Sequence, residues 1–374
     1  MLKTLIYRGT LLLDRVLSCL PSIGRFRPLR GSFSAWELLQ KGELKGGIIA
    51  EKQNPGPCPN GSVTDLARMQ QHDHQPWPVF WVRSDQARLV GKMLHWRNSD
   101  ERICSEGVFH MKHRRGLSED RYLAQIIVSR PQHLPGAWTS LASNWADGRN
   151  YFHWILDGLT RLHVREKLPE ETRILLPTRQ PSYIAETIDM LGLSHMAQTS
   201  PSHCVQPERY YFCSPSSMTG VHNPIGFDWL REKFAQYRSP KPNGKPIFLT
   251  RRGGTRVPKD LDLIEKAFSN HGYEIINCGL LSVREQILKA SLAPAIAGFH
   301  GAAMTNLLWA HPGTPVLELF QPPYLNACYE QIALAGGMKY TPHILEKEQL
   351  DEKLMNWLNN DYIELHSQLK IKLQ

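Results

Sequence analysis

Apolar positions along this chain follow two periods, near 2 and near 3.6, and the switches between them are sharpest toward the C-terminus. Beyond residue 245, "PIFLTRR" predicts a strand and "KDLDLIEKAFSNHG" a helix closed by Gly272. "YEIINC" predicts a strand, "SVREQILKASL" a helix and "PAIAGF" a strand; "AAMTNLLWAH" then predicts a helix and "TPVLELF" a strand. Strands alternating with helices of this length imply right-handed βαβ units and a parallel sheet. Upstream, short β-branched and aromatic runs from "PVFWVRSDQARLVGKMLHW" to "GVFH" predict strands joined by turns. A helix over 149–167, a strand at "TRILLP", a helix at "SYIAETIDMLGL", a strand at "ERYYFCSP" and a helix at "FDWLREKFAQYR" follow. The Pro-, Lys- and Gly-rich stretch "SPKPNGKP", 239–246, reads as the linker. Four regions result: an irregular N-terminal extension 1–75, an α/β domain 76–240, a second α/β domain 241–345 and a helical tail 346–374.

Composition narrows the class. The chain has 374 residues, enough for two full-sized cores, and its 41% apolar content excludes a disordered or collagen-like protein. Seven scattered cysteines without a C-x-x-C pair suggest neither a zinc ribbon nor a disulfide framework, so a reducing, cytoplasmic compartment is expected. In "MLKTLIYRGTLLLDRVLSCLPSIGRF", Arg8, Asp14 and Arg15 interrupt every apolar run, leaving less than the ~7–15 residues of a signal h-region. A short amphipathic helix is expected there, with a loose peripheral contact at the inner membrane face as the alternative. No stretch approaches the ~18 apolar residues of a membrane span. Asn60-Gly61-Ser62 would matter as a sequon only in a secreted chain. The net charge of +9 is uneven: residues 231–260 hold nine Lys or Arg against Glu232 and Asp260. Such a patch suits a diphosphate, a nucleic acid or a lipid headgroup, or is simply a soluble basic surface.

Two constellations carry chemistry. The first is "AGFHGAAMTNLLWAHPGTPVLELF", Ala297–Phe320. "PAIAGF" should end at the C-terminal sheet edge, where open α/β folds bind ligands. His300-Gly301 then forms the turn, and the helix opening at Ala302 directs amide N–H groups at an anion. Glu318 lies among apolar neighbours and is costly there unless it accepts hydrogen bonds, for which ribose hydroxyls are suitable donors. The segment reads as a nucleotide cradle: His300, Gly301 and Ala302 for phosphate, Glu318 for ribose. The competing reading has His300 capping the helix and Glu318 paired with a core arginine. No P-loop, G-x-G-x-x-G or G-x-S-x-G motif is present.

The second constellation is "NWADGRNYFHWILDGLTRLHV". At 100° per residue, Asn150, His153, Asp157 and Arg161 share one helical face with Trp154 beside them, while Phe152, Ile155, Leu156, Leu159 and Leu162 lie opposite. His153 and Asp157, one turn apart, are general-base material, and an exposed Trp154 would stack on a sugar ring. An ordinary solvated face is the alternative. Asp260-Leu261-Asp262 resembles a metal-binding D-x-D, but it follows Pro258-Lys259 and falls in the first turn of a helix, where acids suit the dipole. His72-Asp73-His74 lacks further zinc ligands nearby and reads as loop.

Together, "NYFHWILDGLTRL", "FLTRRGGTR" and "GFHGAAMTNLLWAHPGTPVLELFQP" resemble glycosyltransferase family 61, including bacterial capsular-polysaccharide members, in matching order over roughly residues 79–345. The resemblance implies two Rossmann-like α/β domains facing a cleft (GT-B), an inverting mechanism, a nucleotide-sugar donor such as a UDP-sugar, and no obligatory metal or other cofactor. It implies donor binding at Arg251, Arg256, His300, Gly301, Asn306 and Glu318 by the second domain. The first domain would serve a glycan or glycolipid acceptor, with His153 and Asp157 on its helix and Asn150, Trp154 and Arg161 as acceptor contacts. Asp260 stands where many members have Asn. Two other classes stay open: a nucleotide- or glycan-binding protein without turnover, and a nucleic-acid binder using the basic patch alone, though no nucleic acid is expected as the partner.

Overall fold

Short apolar runs in the first half of the chain pair into one large sheet. It contains β1 (Ser32–Phe33), β2 (Lys45–Ala50), β3 (Val79–Ser84), β4 (Arg88–Val90), β5 (His95–Arg97), β6 (Ile103–Cys104), β7 (Gln132–Ser140), β8 (Arg173–Leu176), β9 (Ala197–Thr199) and β10 (Cys204–Cys213). The computed structural model describes residues 31–50, 78–108, 130–143, 145–216, 224–254, 256–321 and 325–345, with 352, 354–356 and 358. The described residues up to Leu230 form one compact unit and those from Arg231 a second.

In the first unit the strand order is β1-β6-β5-β4-β10-β7-β8-β9, with β3 also on β10 and β2 on β3. Strands β10, β7, β8 and β9 are parallel, whereas β3 and β4 run antiparallel to β10. The sheet is therefore a parallel α/β half extended by an antiparallel half, not the purely parallel sheet of a simple Rossmann-like domain. Residues 31–50, expected to be irregular, are part of it: Glu106 accepts from Ser34 Oγ and from the backbone N–H groups of Ala35 and Trp36, holding the start of helix Ala35–Gln40. The sequence signal is weak because these elements are short and their partners distant along the chain.

The second unit carries β11 (Ile247–Leu249), β12 (Glu274–Ile276), β13 (Ile296–Phe299), β14 (Pro315–Phe320) and β15 (Lys339–Ile344). All pair in parallel, in the order β12-β11-β13-β14-β15. Counted from β11 this is 2-1-3-4-5, a doubly wound order. Helix Leu261–Asn270 buries Leu261, Ile264, Ala267 and Phe268, and Phe268 stacks on Phe248 of β11 at 4.2 Å. Helix Val283–Leu292 opens with a capping box between Ser282 and Glu285. Leu354 and Leu358, from the expected tail, are buried in the same core as Phe248.

The segment Ala302–Trp309 is a 3-10 helix rather than the α-helix expected. Eight residues at ~2.0 Å each reach further than an α-helix would, which suits a short crossover from the end of β13 to the start of β14. Residues 239–246 do not hang as a linker. Ser239 N–H donates to Ser291 Oγ and Gly244 N–H to the Leu292 carbonyl, each at 2.8 Å, tying the stretch to helix Val283–Leu292. No helix among the described residues is long and apolar enough to cross a membrane. The N-terminal segment 1–30, Asn60–Ser62, His72–His74 and most of 346–374 lie outside the described residues.

Candidate active site

Each unit has one place where the parallel strand order reverses, and open α/β sheets bind ligands just beyond the strand C-termini at such points. In the second unit it lies between β11 and β13. Arg251 follows β11 and His300-Gly301 follows β13, and the Arg251 Nη1 donates to the His300 carbonyl across the gap. Gly301 is extended, so its role is space: a Cβ there would stand 3.2 Å from Arg251 Nη1. Ala302 opens the 3-10 helix, in which Met304 N–H donates to the Gly301 carbonyl at 2.8 Å. Burial first, and the neighbouring Arg256 guanidinium next, lower the Arg251 pKa from its usual value. Arginine keeps its proton regardless. Among the described residues Arg251 has no carboxylate partner, and its buried Nε has no hydrogen-bond partner.

His300 is fixed from behind. Its Nδ1 lies 2.6 Å from Glu318 Oε1, and Tyr340 OH donates to Glu318 Oε2 at 2.5 Å. The imidazole stacks on Phe320 with centroids 5.1 Å apart. Glu318 is fully buried on β14, between β13 and β15, and both its oxygens are occupied. This corrects the expected ribose contact: the carboxylate orients the histidine instead, and among the described residues no arginine pairs with it. Burial, then the Glu318 charge, raises Tyr340 well above the ordinary phenol range, so the phenol remains a donor. Asn306, expected at the donor, is also buried; its amide donates to Gln286 Oε1 at 2.9 Å and to the Ala303 carbonyl at 3.0 Å, tying the 3-10 helix to helix Val283–Leu292.

Much of the basic surplus is structural. Arg231 Nη1 donates to the Leu308 and Ala310 carbonyls, and Arg238 Nε to the Trp309 carbonyl, closing the 3-10 helix C-terminus. Arg252 pairs with Asp262 and Glu265 at 2.5 and 2.6 Å, which also engages the second acid of the D-x-D. Arg256 is exposed.

In the first unit the order reverses between β7 and β10. A loop leaves β7 and enters a helix capped by Asn150, whose side chain accepts from Phe152 N–H at 3.0 Å. Asn150 is exposed, but its carbonyl oxygen serves the cap rather than an acceptor. The helix runs from Tyr151–His153 through a π-helical turn, Trp154–Leu159, into Arg161–Arg165. His153 Nδ1 lies 2.7 Å from Asp157 Oδ2; the histidine side chain is 13% exposed and that of Asp157 0%. Of the two, His153 alone can meet a substrate, and Asp157 stands behind it. A carboxylate accepting from Nδ1 leaves the ring lone pair on Nε2, the arrangement a general base needs.

Two expected contacts are corrected here. Trp154 is fully buried and donates from Nε1 to Thr187 Oγ1 at 2.9 Å, so it cannot stack on a sugar. Arg161 is buried as well, its Nε donating to the Asp157 carbonyl at 3.1 Å. The reason is common to both: helix Ser182–Met190 and the sheet cover the face read as polar, as Thr187, Phe212 and Tyr210 around these side chains attest. The ring stacked on His153 is Trp145, at 5.2 Å and 25°, while Phe152 meets the imidazole edge-on at 5.1 Å. Sequence reasoning passed over Trp145 although it stands in the same motif. Tyr340 had no local signal, because its partner Glu318 lies on the preceding strand, 22 residues away along the chain.

A model of the family described as Glycosyltransferase 61 matches residues 151–317. The match opens on the helix carrying His153 and Asp157, includes Arg251, Arg256 and His300 to Asn306, and stops one residue before Glu318. No curated protein matches the chain.

Proposed function

We propose, from the match of residues 151–317 to glycosyltransferase family 61, that this chain is a glycosyltransferase that moves a sugar from a nucleotide-sugar, preferentially a UDP-sugar, onto a glycan or glycolipid hydroxyl with inversion. The observation that carries this reading is Arg251. A half-buried guanidinium with no carboxylate partner among the described residues, at the strand-order reversal and beside Gly301, suits the diphosphate of a leaving nucleotide. Arg251, Arg256 and the N–H groups at 301–302 supply the positive charge that a divalent ion provides elsewhere, so no obligatory metal is proposed. His153 Nε2 takes the acceptor hydroxyl proton as the hydroxyl oxygen bonds to the anomeric carbon, whose bond to the diphosphate oxygen breaks on the opposite face. Asp157 orients the imidazole and balances the imidazolium formed. His300, held by Glu318, lines the phosphate turn. The parallel α/β half of the first sheet and the parallel second sheet are compatible with two Rossmann-like domains, and a GT-B arrangement with surface or capsular polysaccharide synthesis on the cytoplasmic side is the setting we propose.

The test is a panel of UDP-sugars with UDP release as the signal, run on the wild type and on His153→Ala. Loss of the base should lower turnover ~10²–10⁴-fold while UDP affinity is retained. A near-wild-type rate in His153→Ala overturns the assignment. UDP binding without turnover of any donor would favour a non-catalytic binding protein.

A further inference from the structure

Trp145 lies on the imidazole of His153, and the reaction reading gives it no task. Its seating is built into the local sequence. The loop leaving β7 is held by two short turns, in which Ala142 N–H donates to Ser140 Oγ and Ala146 N–H to Ser143 Oγ, each at 3.2 Å. Ala146 is fully buried against Gly158, where an added Cβ would stand 3.1 Å from both the Ala146 Cβ and the Leu141 carbonyl oxygen. On the other side of Trp145, the Gly148 carbonyl accepts from Tyr183 OH at 2.9 Å. Gly158 belongs to the same π-helical turn as Asp157. One turn thus supplies both the carboxylate at His153 Nδ1 and the seat of the loop that carries the indole.

Three contacts hold the His153 ring. Asp157 Oδ2 lies 2.7 Å from Nδ1, Phe152 meets the ring edge-on at 5.1 Å and 83°, and Trp145 stacks on it at 5.2 Å and 25°. A hydrogen bond fixes one atom of a ring, whereas a near-parallel neighbour also fixes its plane. The face of an indole is the negative side of its quadrupole, which attracts a cation within about 6 Å of the ring centroid. A neutral imidazole gains little from that attraction, and an imidazolium gains all of it. The stack is therefore stronger once the ring has taken a proton, which is the condition an interaction must meet to lower a barrier.

Resting on the reading of His153 as the base, we propose that Trp145 is a positioning residue: its indole face fixes the plane of the His153 imidazole and stabilises the imidazolium formed as the ring takes the proton of the acceptor hydroxyl. Trp145 itself takes no proton. The titratable and charged groups on the elements packed around the loop come from three places. Asp157 lies on the same helix as His153, and Asp147 and Arg149 of the loop pair with each other at 2.5 Å. Arg179 and Tyr183 belong to the segment after β8 that packs on Gly148. A change at position 145 alters none of them. Two side chains of similar volume, one with a π face and one without, therefore isolate the stack.

Trp145→Phe and Trp145→Leu are compared in two ways. Without substrate, the imidazole resonances of 15N-histidine-labelled protein are followed against pH, and His153 is assigned by its absence from His153→Gln. The ring should take up its proton at a lower pH in Trp145→Leu than in Trp145→Phe. With a UDP-sugar donor and UDP release as the signal, kcat should fall roughly 2- to 30-fold from the Phe to the Leu variant, the range a cation–π contact spans. Donor KM and UDP affinity should be equal in the two. In the His153→Ala background both variants should turn over alike, because Trp145 acts through the imidazole. Equal titration midpoints or equal kcat in the two variants overturn the proposal, and so does a kcat difference that persists without the imidazole. Should Trp145→Leu not fold, a ring-fluorinated tryptophan at position 145 keeps the shape and drains the face of charge; a midpoint identical to the wild type then overturns it. Failure of the base reading is seen separately, as undiminished turnover in His153→Ala.

Discussion

Two histidines in this chain are each held at Nδ1 by a fully buried carboxylate, and what surrounds each pair decides what it can do. His153–Asp157 is overlaid by Trp145, with Arg161 Nε donating to the Asp157 backbone carbonyl, whereas the carboxylate of His300–Glu318 accepts from the phenol of Tyr340. Tyr340→Phe leaves one oxygen of a buried carboxylate without its donor, which should cost about 1–3 kcal/mol of stability. It should also weaken UDP binding, since His300 loses its fixed orientation; calorimetric titration checks this, and unchanged affinity would make Tyr340 a purely structural residue. His95 makes a different prediction. Its folded pKa is lowered from 6.5 to about 3 by burial and by Arg161. The unfolded chain therefore binds a proton below pH 6.5 that the folded chain refuses, and stability present above that pH is lost as pH falls toward 3. The slope should approach about 1.4 kcal/mol per pH unit in that window. Urea midpoints of His95→Gln across the same range should show a shallower acid slope, and identical slopes would rule out His95 as the cause.

At the scale of elements, close approaches set the geometry that sequence periodicity only outlines. Gly148 lies at φ +86°, and a Cβ there would come within 2.3 Å of the Arg179 carbonyl oxygen. Gly148→Ala should therefore displace the loop that lays Trp145 over His153, lowering the melting temperature and quenching or shifting Trp145 emission. The 3-10 crossover between β13 and β14 depends on Arg231 and Arg238 at its end carbonyls. Arg238→Ala should cost about 1–2 kcal/mol in denaturant titration, with UDP affinity unchanged, because the arginine closes the helix rather than binding phosphate. An affinity loss larger than the stability loss would return it to the anion patch. These arginines also show why a local charge count misleads: the surplus over 231–260 is real, but part of it is spent on backbone carbonyls and on Asp262 and Glu265.

For the molecule as a whole, the two units each have their own sheet and core, and the expected ligand response is confined to one of them. A nucleotide diphosphate held by Arg251 and the 300–302 turn binds only the native second unit. At ~100 times its dissociation constant it should add about 2.7 kcal/mol to that unit's stability. Hydrogen exchange with UDP present should slow within residues 247–320 and leave the 151–165 helix unchanged; no slowing with any nucleoside diphosphate would remove the donor site from this unit. Turnover of the full chain should also persist in EDTA, since fixed cations replace a metal in the proposal. Abolition by EDTA with rescue by manganese would overturn it.

Periodicity along the chain was enough to outline the βαβ succession of the second unit as far as β14, because fully buried parallel strands and the helices between them carry a local pattern, but helix Cys328–Ala335 and β15 beyond it were not anticipated. It was also enough to pick out His153, Asp157, His300 and Glu318 as unusual for their surroundings, whereas Arg251 was named only through the family resemblance. What it could not determine is which side of each such residue meets water. The face of the 151–165 helix that looked polar is covered by helix Ser182–Met190 and β10, so Trp154 and Arg161 went inside and Asp157 became a partner of His153 instead of a surface acid. Glu318 was read as a ligand group because its neighbours in sequence are apolar; its neighbours across the sheet, His300 and Tyr340, occupy both oxygens. Burial and pairing are properties of strands and helices brought together from distant parts of the chain, and only the tertiary structure decides them.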